Sequence, residues 1–385
     1  MHNMNINRLF LSILLVLSFL GSCQTKEGFY ADDNPLITEN ATNKTMALFT
    51  NMLELSKRGV MFGHHDAYLY GHSWKDERGR SDVNDVCGSH PAVHGIDFAS
   101  ITRQLTPAKQ EAEEARLREC VGDVYKDGGI TTVTWHFHNP VCDGGFYYKD
   151  DSMAVVPMII PGGDFHHIYK DKLNTIASFA KSLRGDDGEL IPIIFRPYHE
   201  YDGDWFWWGV PHHCTKEDFN TLWTFTIDYL KDSMGVNNFI YAISPDCKFN
   251  SREEFLEYYP GDKYVDLIGM DNYWDLRPDG GSIANFIKKL KIVSDIAKEK
   301  NKLCALTETG IEGIPEPQWW TKTLLKTLKE NDLQLSYVMV WRNAHDIAHH
   351  HYAPYPGHAS EEDFIVFYND PFTIFQNTIG DMYSR

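Results

Sequence analysis

Two glutamates stand where a hydrolytic site would want an acid and a nucleophile. Glu200 lies in the run Arg196-Pro197-Tyr198-His199-Glu200-Tyr201-Asp202-Gly203-Asp204-Trp205, which continues into Phe206-Trp207-Trp208-Gly209. Glu308 closes Leu303-Cys304-Ala305-Leu306-Thr307-Glu308, stopped by Thr309-Gly310. Each follows a short, nearly continuous apolar run, the pattern of a strand buried on both faces, so each carboxylate falls at a strand C-terminal end. Glycoside hydrolysis needs such a pair: one carboxylic acid protonates the leaving oxygen, and one carboxylate attacks, or activates water, on the opposite face of the sugar. Trp205, Trp207 and Trp208 suit the same chemistry, because sugar rings present apolar C–H faces that stack on aromatic planes. The competing reading is an aromatic loop that merely packs in the core. The second carboxylate favours the cleft.

Positioning two residues so far apart in the chain demands a closed scaffold. Apolar strand candidates occur at 59–64, 92–98, 130–136, 191–200, 239–245, 265–274, 303–308 and 337–343, the eight that a (β/α)8 TIM barrel requires. Helical periodicity lies between most of them. It is clear at 219–231, with Phe219, Leu222, Trp223, Thr226, Ile227 and Leu230, and at 283–300, with Ile283, Phe286, Ile287, Leu290, Val293 and Ile296. Alternating strand and helix imply a parallel sheet, and hence an α/β single-domain barrel. Such barrels carry their chemistry on the loops after the strands. Polar residues do collect at the strand ends: His64 and His65, Asp97, His136 and His138, His199 and Glu200, Asp246, Asp271 and Tyr273, Glu308, Trp341 and Arg342. The stretch 139–165 reads as a long loop that walls the cleft.

A net charge of -18 over 385 residues argues against nucleic acid, which needs clustered Lys and Arg, and favours a neutral polymer. Arg8 followed by the apolar stretch 9–20 reads as a secretory h-region, too short to span a bilayer. Leu20-Gly21-Ser22-Cys23 looks like a bacterial lipobox. The expected organisation is therefore a lipoprotein signal peptide over 1–22, a tether over 23–40 beginning at a lipidated Cys23, and the catalytic barrel over 41–385. The expected location is the outer membrane of a Gram-negative bacterium, on the periplasmic face or the cell surface. Six further cysteines, at 87, 120, 142, 214, 247 and 304, form no C-x-x-C pair; disulfides are permitted but not required. Cys304 is expected to be a small buried apolar residue.

Histidine doublets at 64–65, 166–167 and 212–213 and the run 349–351 raise the possibility of a metal-dependent hydrolase. Adjacent side chains on a strand point to opposite faces, so a doublet offers at most one inward ligand. His136 and His138 share a face and make the better chelate, although a histidine at a barrel mouth serves equally as a donor to sugar hydroxyls. The run 349–351 is expected at the rim. No metal is assigned.

The segment Arg196–Gly209, written Arg-Pro-x-His-Glu-x-x-Gly-x-Trp-Phe-Trp-Trp-Gly, resembles glycoside hydrolase family 26, the β-mannanases and their relatives. Further matches are Phe62-Gly63-His64-His65-Asp66-Ala67, Tyr70-Gly71-His72-Ser73-Trp74, Arg80-Ser81-Asp82-Val83, Pro91-Ala92-Val93-His94-Gly95, Thr134-Trp135-His136, Asn139-Pro140, Asp271-Asn272-Tyr273, Thr307-Glu308-Thr309-Gly310 and Phe367-Tyr368-Asn369-Asp370-Pro371. The resemblance implies that Glu200 is the general acid/base, Glu308 the nucleophile and His199 a neighbour that helps to hold the nucleophile and the sugar 2-hydroxyl. It also implies that Trp205, Tyr273, His136 and Trp341 line the subsites, with Asp97 a weaker match. It implies retention of configuration, no metal or cofactor, and a β-mannan polysaccharide or oligosaccharide as partner. The chain is expected to act as a monomer. Mixed-linkage glucan, β-1,3-xylan and mannobiose-releasing exo action are the alternatives within the family. A surface glycan-binding lipoprotein is the alternative without catalysis, and it would not need both glutamates. Tyr201-Asp202 departs from the residues that many members carry after the acid.

Overall fold

A computed structural model describes residues 34–142 and 144–384. The signal segment and Cys23 lie outside the described residues. Among the described residues no helix is long and apolar enough to cross a membrane.

The eight expected strands form as β1 Val60–His65, β2 Val93–Asp97, β3 Ile130–Trp135, β4 Ile193–Pro197, β5 Phe239–Ile243, β6 Leu267–Asn272, β7 Leu303–Thr309 and β8 Tyr337–Val340. Every neighbouring pair is parallel, and β8 pairs back onto β1, Met61 opposite Tyr337 and His64 opposite Val340, so the barrel closes. A two-residue strand, Thr373–Ile374, adds to β1. Nearly every strand residue is buried, as expected of a sheet covered on both faces.

Alternation along the strands builds two cores. Met61, Val93, Ile130, Ile194, Ile240, Leu267, Leu303, Ala305 and Met339 fill the barrel interior together with Leu48, Phe49, Met52 and Leu55 of the helix Asn43–Leu55. That helix sits at the N-terminal mouth, where Thr42 N–H reaches Asn237 O just before β5. Phe62, Val133, Phe195, Tyr241 and Val338 point the other way, into the larger shell under the helices. The interior is thus plugged at one end and open to chemistry at the other. Residues 34–40 also pack on the barrel: Leu36 is buried and Ile37 N–H donates to Asp266 Oδ1.

The helix expected at 219–231 is Lys216–Asp228, started by a Thr215/Asp218 capping box and continued by a π-helical turn, Tyr229–Ser233. The one expected at 283–300 is Ile283–Glu299. The loop 139–165 carries two short helices, Tyr148–Asp151 and Val156–Ile159. Its Tyr147 bridges to Phe206, and Tyr148 N–H donates to Trp205 O at 2.7 Å, so it docks against the loop after β4. Cys304 is buried as expected, and Cys87, Cys120, Cys214, Cys247 and Cys304 are free thiols.

Candidate active site

Strand β4 ends at Pro197, three residues short of Glu200. Tyr198 and Glu200 then take left-handed backbone conformations, with φ of 50° and 52°, uncommon for residues with side chains. The Glu200 N–H holds this turn by donating to Ser244 O at 2.8 Å, across to the end of β5. Strain of this kind persists only where the surroundings over-determine it, and it clusters at sites where a side chain must be aimed. Here it turns the Glu200 carboxyl over the barrel mouth.

That mouth is a cleft of about 710 Å³ lined by His136, His199, Glu200, Trp205, Tyr273, Glu308 and Trp341, all expected from the sequence. Asp97, the eighth expected residue, stands behind them. It binds His136 Nδ1 at 2.5 Å, and its other oxygen takes the Ala99 N–H at 2.7 Å, so it orients the imidazole rather than facing this cleft. It lines an adjoining cavity of about 550 Å³ together with His65, His138 and Arg342. Burial alone would raise the Asp97 pKa, but His136 beside it holds it below the usual carboxylate range. Gly95 makes room for this corner, because a Cβ there would lie 2.4 Å from Cδ2 of His65, whose ring contacts Trp341.

One carboxylate oxygen each of Glu200, Asp271 and Glu308 lie within 4.8 Å of one another. Arg196, fully buried, supplies the balancing charge: Nη1 donates to Asp271 Oδ2 at 2.7 Å and to Ser244 Oγ at 2.8 Å, and Nη2 donates to Glu308 Oε1. Tyr273 OH donates to Glu308 Oε2 at 2.8 Å, and Thr307 Oγ1 to Asp271 Oδ1 at 2.6 Å. Both oxygens of Glu308 and both of Asp271 therefore already have protein donors. The donor set is that of a fixed anion beside a guanidinium rather than of an open metal cage. Glu200 differs: its Oε2 accepts from Trp205 Nε1 at 2.7 Å, and among the described residues no cation pairs with it. Burial pushes its pKa well above the ordinary range, and Asp271 and Glu308 push it further. His199 is buried against the rings of His136 and Phe206, and its Nδ1 has no hydrogen-bond partner among the described residues. Burial, His136 and Arg196 depress its pKa and keep it neutral.

The cleft has further lining residues to which the sequence reading gives no individual role in the site. Tyr147 comes from the loop 139–165, while Phe206, Arg277, Glu312, His350 and Tyr352 come from the loops after β4, β6, β7 and β8. Arg196 had the clearest signal, since a charge inside an apolar strand requires a buried partner. Of the histidine doublets, His64 is buried, whereas His65 reaches the adjoining cavity, and His213 stacks on Tyr148 at 3.5 Å. His350 lines the cleft, and His351 is buried rather than at the rim.

A closed parallel barrel that presents two differently dressed carboxylates across a sugar-sized cleft defines a glycoside hydrolase. Residues 37–376 match glycosyl hydrolase family 26, and the chain belongs to that family. It is similar to GH26C from Muricauda sp. MAR_2010_75, with a TM-score of 0.86 and 38% identity over 92% of this chain and 98% of that one. It is also similar to the β-mannanase BoMan26A from Bacteroides ovatus, with a TM-score of 0.81 and 39% identity over 89% and 97%. Among curated proteins it is 35% identical over 321 residues to a mannan endo-1,4-β-mannosidase of Bifidobacterium adolescentis, covering 79% of this chain but only 31% of that protein.

Proposed function

We propose that this protein is a retaining endo-β-1,4-mannanase that hydrolyses internal linkages of mannan, galactomannan or glucomannan. The observation that carries the mechanism is the approach of Glu200 and Glu308 oxygens within 4.8 Å. Retaining enzymes hold their two carboxyl groups about 5–5.5 Å apart, whereas inverting enzymes leave about 6.5–9.5 Å for a water. The names of the Bifidobacterium and Bacteroides relatives support the substrate.

In this reading Glu308, oriented by Arg196 and Tyr273, attacks the anomeric carbon while Glu200 protonates the departing oxygen. A covalent glycosyl-enzyme forms, and the aglycone leaves. Glu308 is then neutralised as an ester, which removes one of the charges that hold the Glu200 proton, so Glu200 accepts a proton from water as the ester is hydrolysed with net retention. Trp205, Trp341 and Tyr273 supply stacking and hydroxyl contacts around the scissile bond.

Product analysis on mannan, galactomannan, glucomannan, mixed-linkage glucan and β-1,3-xylan, with EDTA present, tests the substrate. A ladder of manno-oligosaccharides is expected. Mannobiose alone would replace endo by exo action, and cleavage confined to another polymer would overturn the substrate and keep the mechanism. Glu200→Ala should lower turnover of mannan by about 10²–10⁴-fold, the usual contribution of a general acid. It should leave glycosylation by aryl mannosides with good leaving groups much less affected, which pre-steady-state release of the phenol would report.

The Trp205 indole N–H stabilises the ionised form of Glu200 and so lowers its pKa. Activity that needs protonated Glu200 falls as pH rises through this pKa. Trp205→Phe should therefore shift the basic limb of the kcat/KM profile to higher pH; an unmoved limb would remove Glu200 from the acid role. We further propose that Cys23 is the lipid-attachment residue of an outer-membrane lipoprotein, a reading supported by the Leu20–Cys23 sequence. Incorporation of labelled palmitate, lost in Cys23→Ser, would check it.

A further inference from the structure

The loop between β8 and the helix Glu361–Tyr368 folds back so that two imidazoles meet, away from the catalytic carboxylates. His351 Nε2 and His358 Nε2 are 3.2 Å apart. His351 is buried, and its Nδ1 lies 3.0 Å from the Ala348 carbonyl, so Nδ1 carries the proton and Nε2 presents a lone pair. His358 Nδ1 lies 3.0 Å from Ser360 Oγ and 3.1 Å from Ser360 N. The remote nitrogen of His351 is thus anchored as a donor, as it is in metal-bound histidines, whereas that of His358 accepts the Ser360 N–H and, among the described residues, has only Ser360 Oγ as an acceptor within reach. Two nitrogens at about 2.0–2.1 Å from a tetrahedral zinc stand about 3.3–3.4 Å apart, close to the separation found here.

We propose that His351 and His358 form a binding site for a divalent transition metal of the zinc type, with solvent completing the coordination. Without metal, the Ser360 N–H donates to His358 Nδ1, which leaves the proton on His358 Nε2 to bridge to His351. Metal binding moves that proton to His358 Nδ1, which requires the Ser360 N–H to turn away from it and Ser360 Oγ to become its acceptor; both Nε2 lone pairs then face the ion and no net proton is released. His72, on the hairpin after β1, stands beside the pair: its ring is edge-on to His351 at 5.6 Å, and its Nδ1 is buried without a protein partner. The ion would therefore sit at the seam where the loops after β1 and β8 meet. The same loop carries His350 and Tyr352 into the cleft wall, and Asn343 Oδ1 already accepts the N–H groups of Tyr352 and Ala353 at 2.8 and 3.0 Å. The metal braces this wall and takes no part in bond cleavage.

The test is calorimetric titration of the untagged protein with ZnCl2 at neutral pH, with thermal unfolding at rising Zn2+ and the visible spectrum of the Co2+ form. One ion per chain is expected, with a Tm that climbs with Zn2+ and d–d bands of imidazole-ligated Co2+. All three should vanish in His358→Ala and in His351→Ala and persist in His349→Ala, whose side chain is exposed. Activity well below the unfolding temperature should be the same with and without EDTA. If His351→Ala fails to fold, the half-buried His358→Ala decides alone. Absence of binding at millimolar Zn2+, or binding unchanged in His358→Ala, overturns the site.

Discussion

Glu308→Ala should lower turnover of mannan by about 10⁴-fold or more, the scale seen when a covalent nucleophile is removed. The methyl side chain can neither attack the anomeric carbon nor balance Arg196, so both the glycosyl-enzyme route and the charge arrangement are lost. The shortened side chain leaves room for a small anion on the face that Glu308 occupied. Azide should therefore restore cleavage of an activated substrate and give the glycosyl azide of inverted configuration, because one displacement replaces two. The fold should survive, since Arg196 keeps Asp271 and Ser244 as partners. Glu308→Gln, nearly isosteric, separates a loss of nucleophile from a loss of structure. Substantial activity in the alanine variant, or a retained azide product, would remove Glu308 from its role. Chromatography and NMR of the azide adduct read the stereochemistry directly.

Arg196→Met should be the most destabilising single change at the site. It leaves Asp271 and Glu308 buried, close together and without their shared cation, and breaking a buried ion pair from one side costs about 3–5 kcal/mol. At about 2–4 °C per kcal/mol, Tm should fall by roughly 10 °C. The pH dependence has a definite sign. Burial already raises the Asp271 pKa, and Arg196 is the main influence pulling it down, so the variant's Asp271 pKa rises further. A carboxylate with a raised folded pKa penalises the fold above that pKa and less below it, so the Tm deficit against wild type should shrink as pH falls through it. Scanning calorimetry across acid and neutral pH checks both the size and the trend. An equal deficit at every pH would mean that packing, not charge, is what Arg196 supplies. Activity should fall as well, because Glu308 loses the donor to Oε1 that orients it.

Much of this architecture was legible because a strand covered on both faces must be apolar throughout. All eight strands lie where apolar runs stand, and β1, β2, β3 and β7 match to within a residue at each end. The strand expected over 191–200 ends early, at Pro197: Tyr198 and Glu200 turn left-handed, and the Glu200 N–H meets the Ser244 carbonyl. The sequence marks Tyr147 only as part of a long loop that walls the cleft, because its own place in the lining depends on that loop docking against Trp205 and Phe206, which no local pattern encodes. His351 escaped because a histidine run reads as solvated until the loop is seen to fold back on His358.

Residue type and position relative to a strand end were enough, without coordinates, to place two carboxylates, their aromatic companions and the barrel that carries them. Those features are local: a buried strand announces itself in hydropathy, and polar residues at its C-terminal end fall at the barrel mouth. Which charges meet was decided by barrel closure alone. Arg196 and Glu308 are 112 positions apart, and they come into contact because successive parallel pairings from β4 round to β7 bring their ends to one mouth. The same closure buries Arg196 among carboxylates and leaves Glu200 with an indole rather than a cation. Burial and Coulomb interactions between residues remote in sequence, which only the closed barrel creates, then make one glutamate an acid and hold the other as an oriented anion.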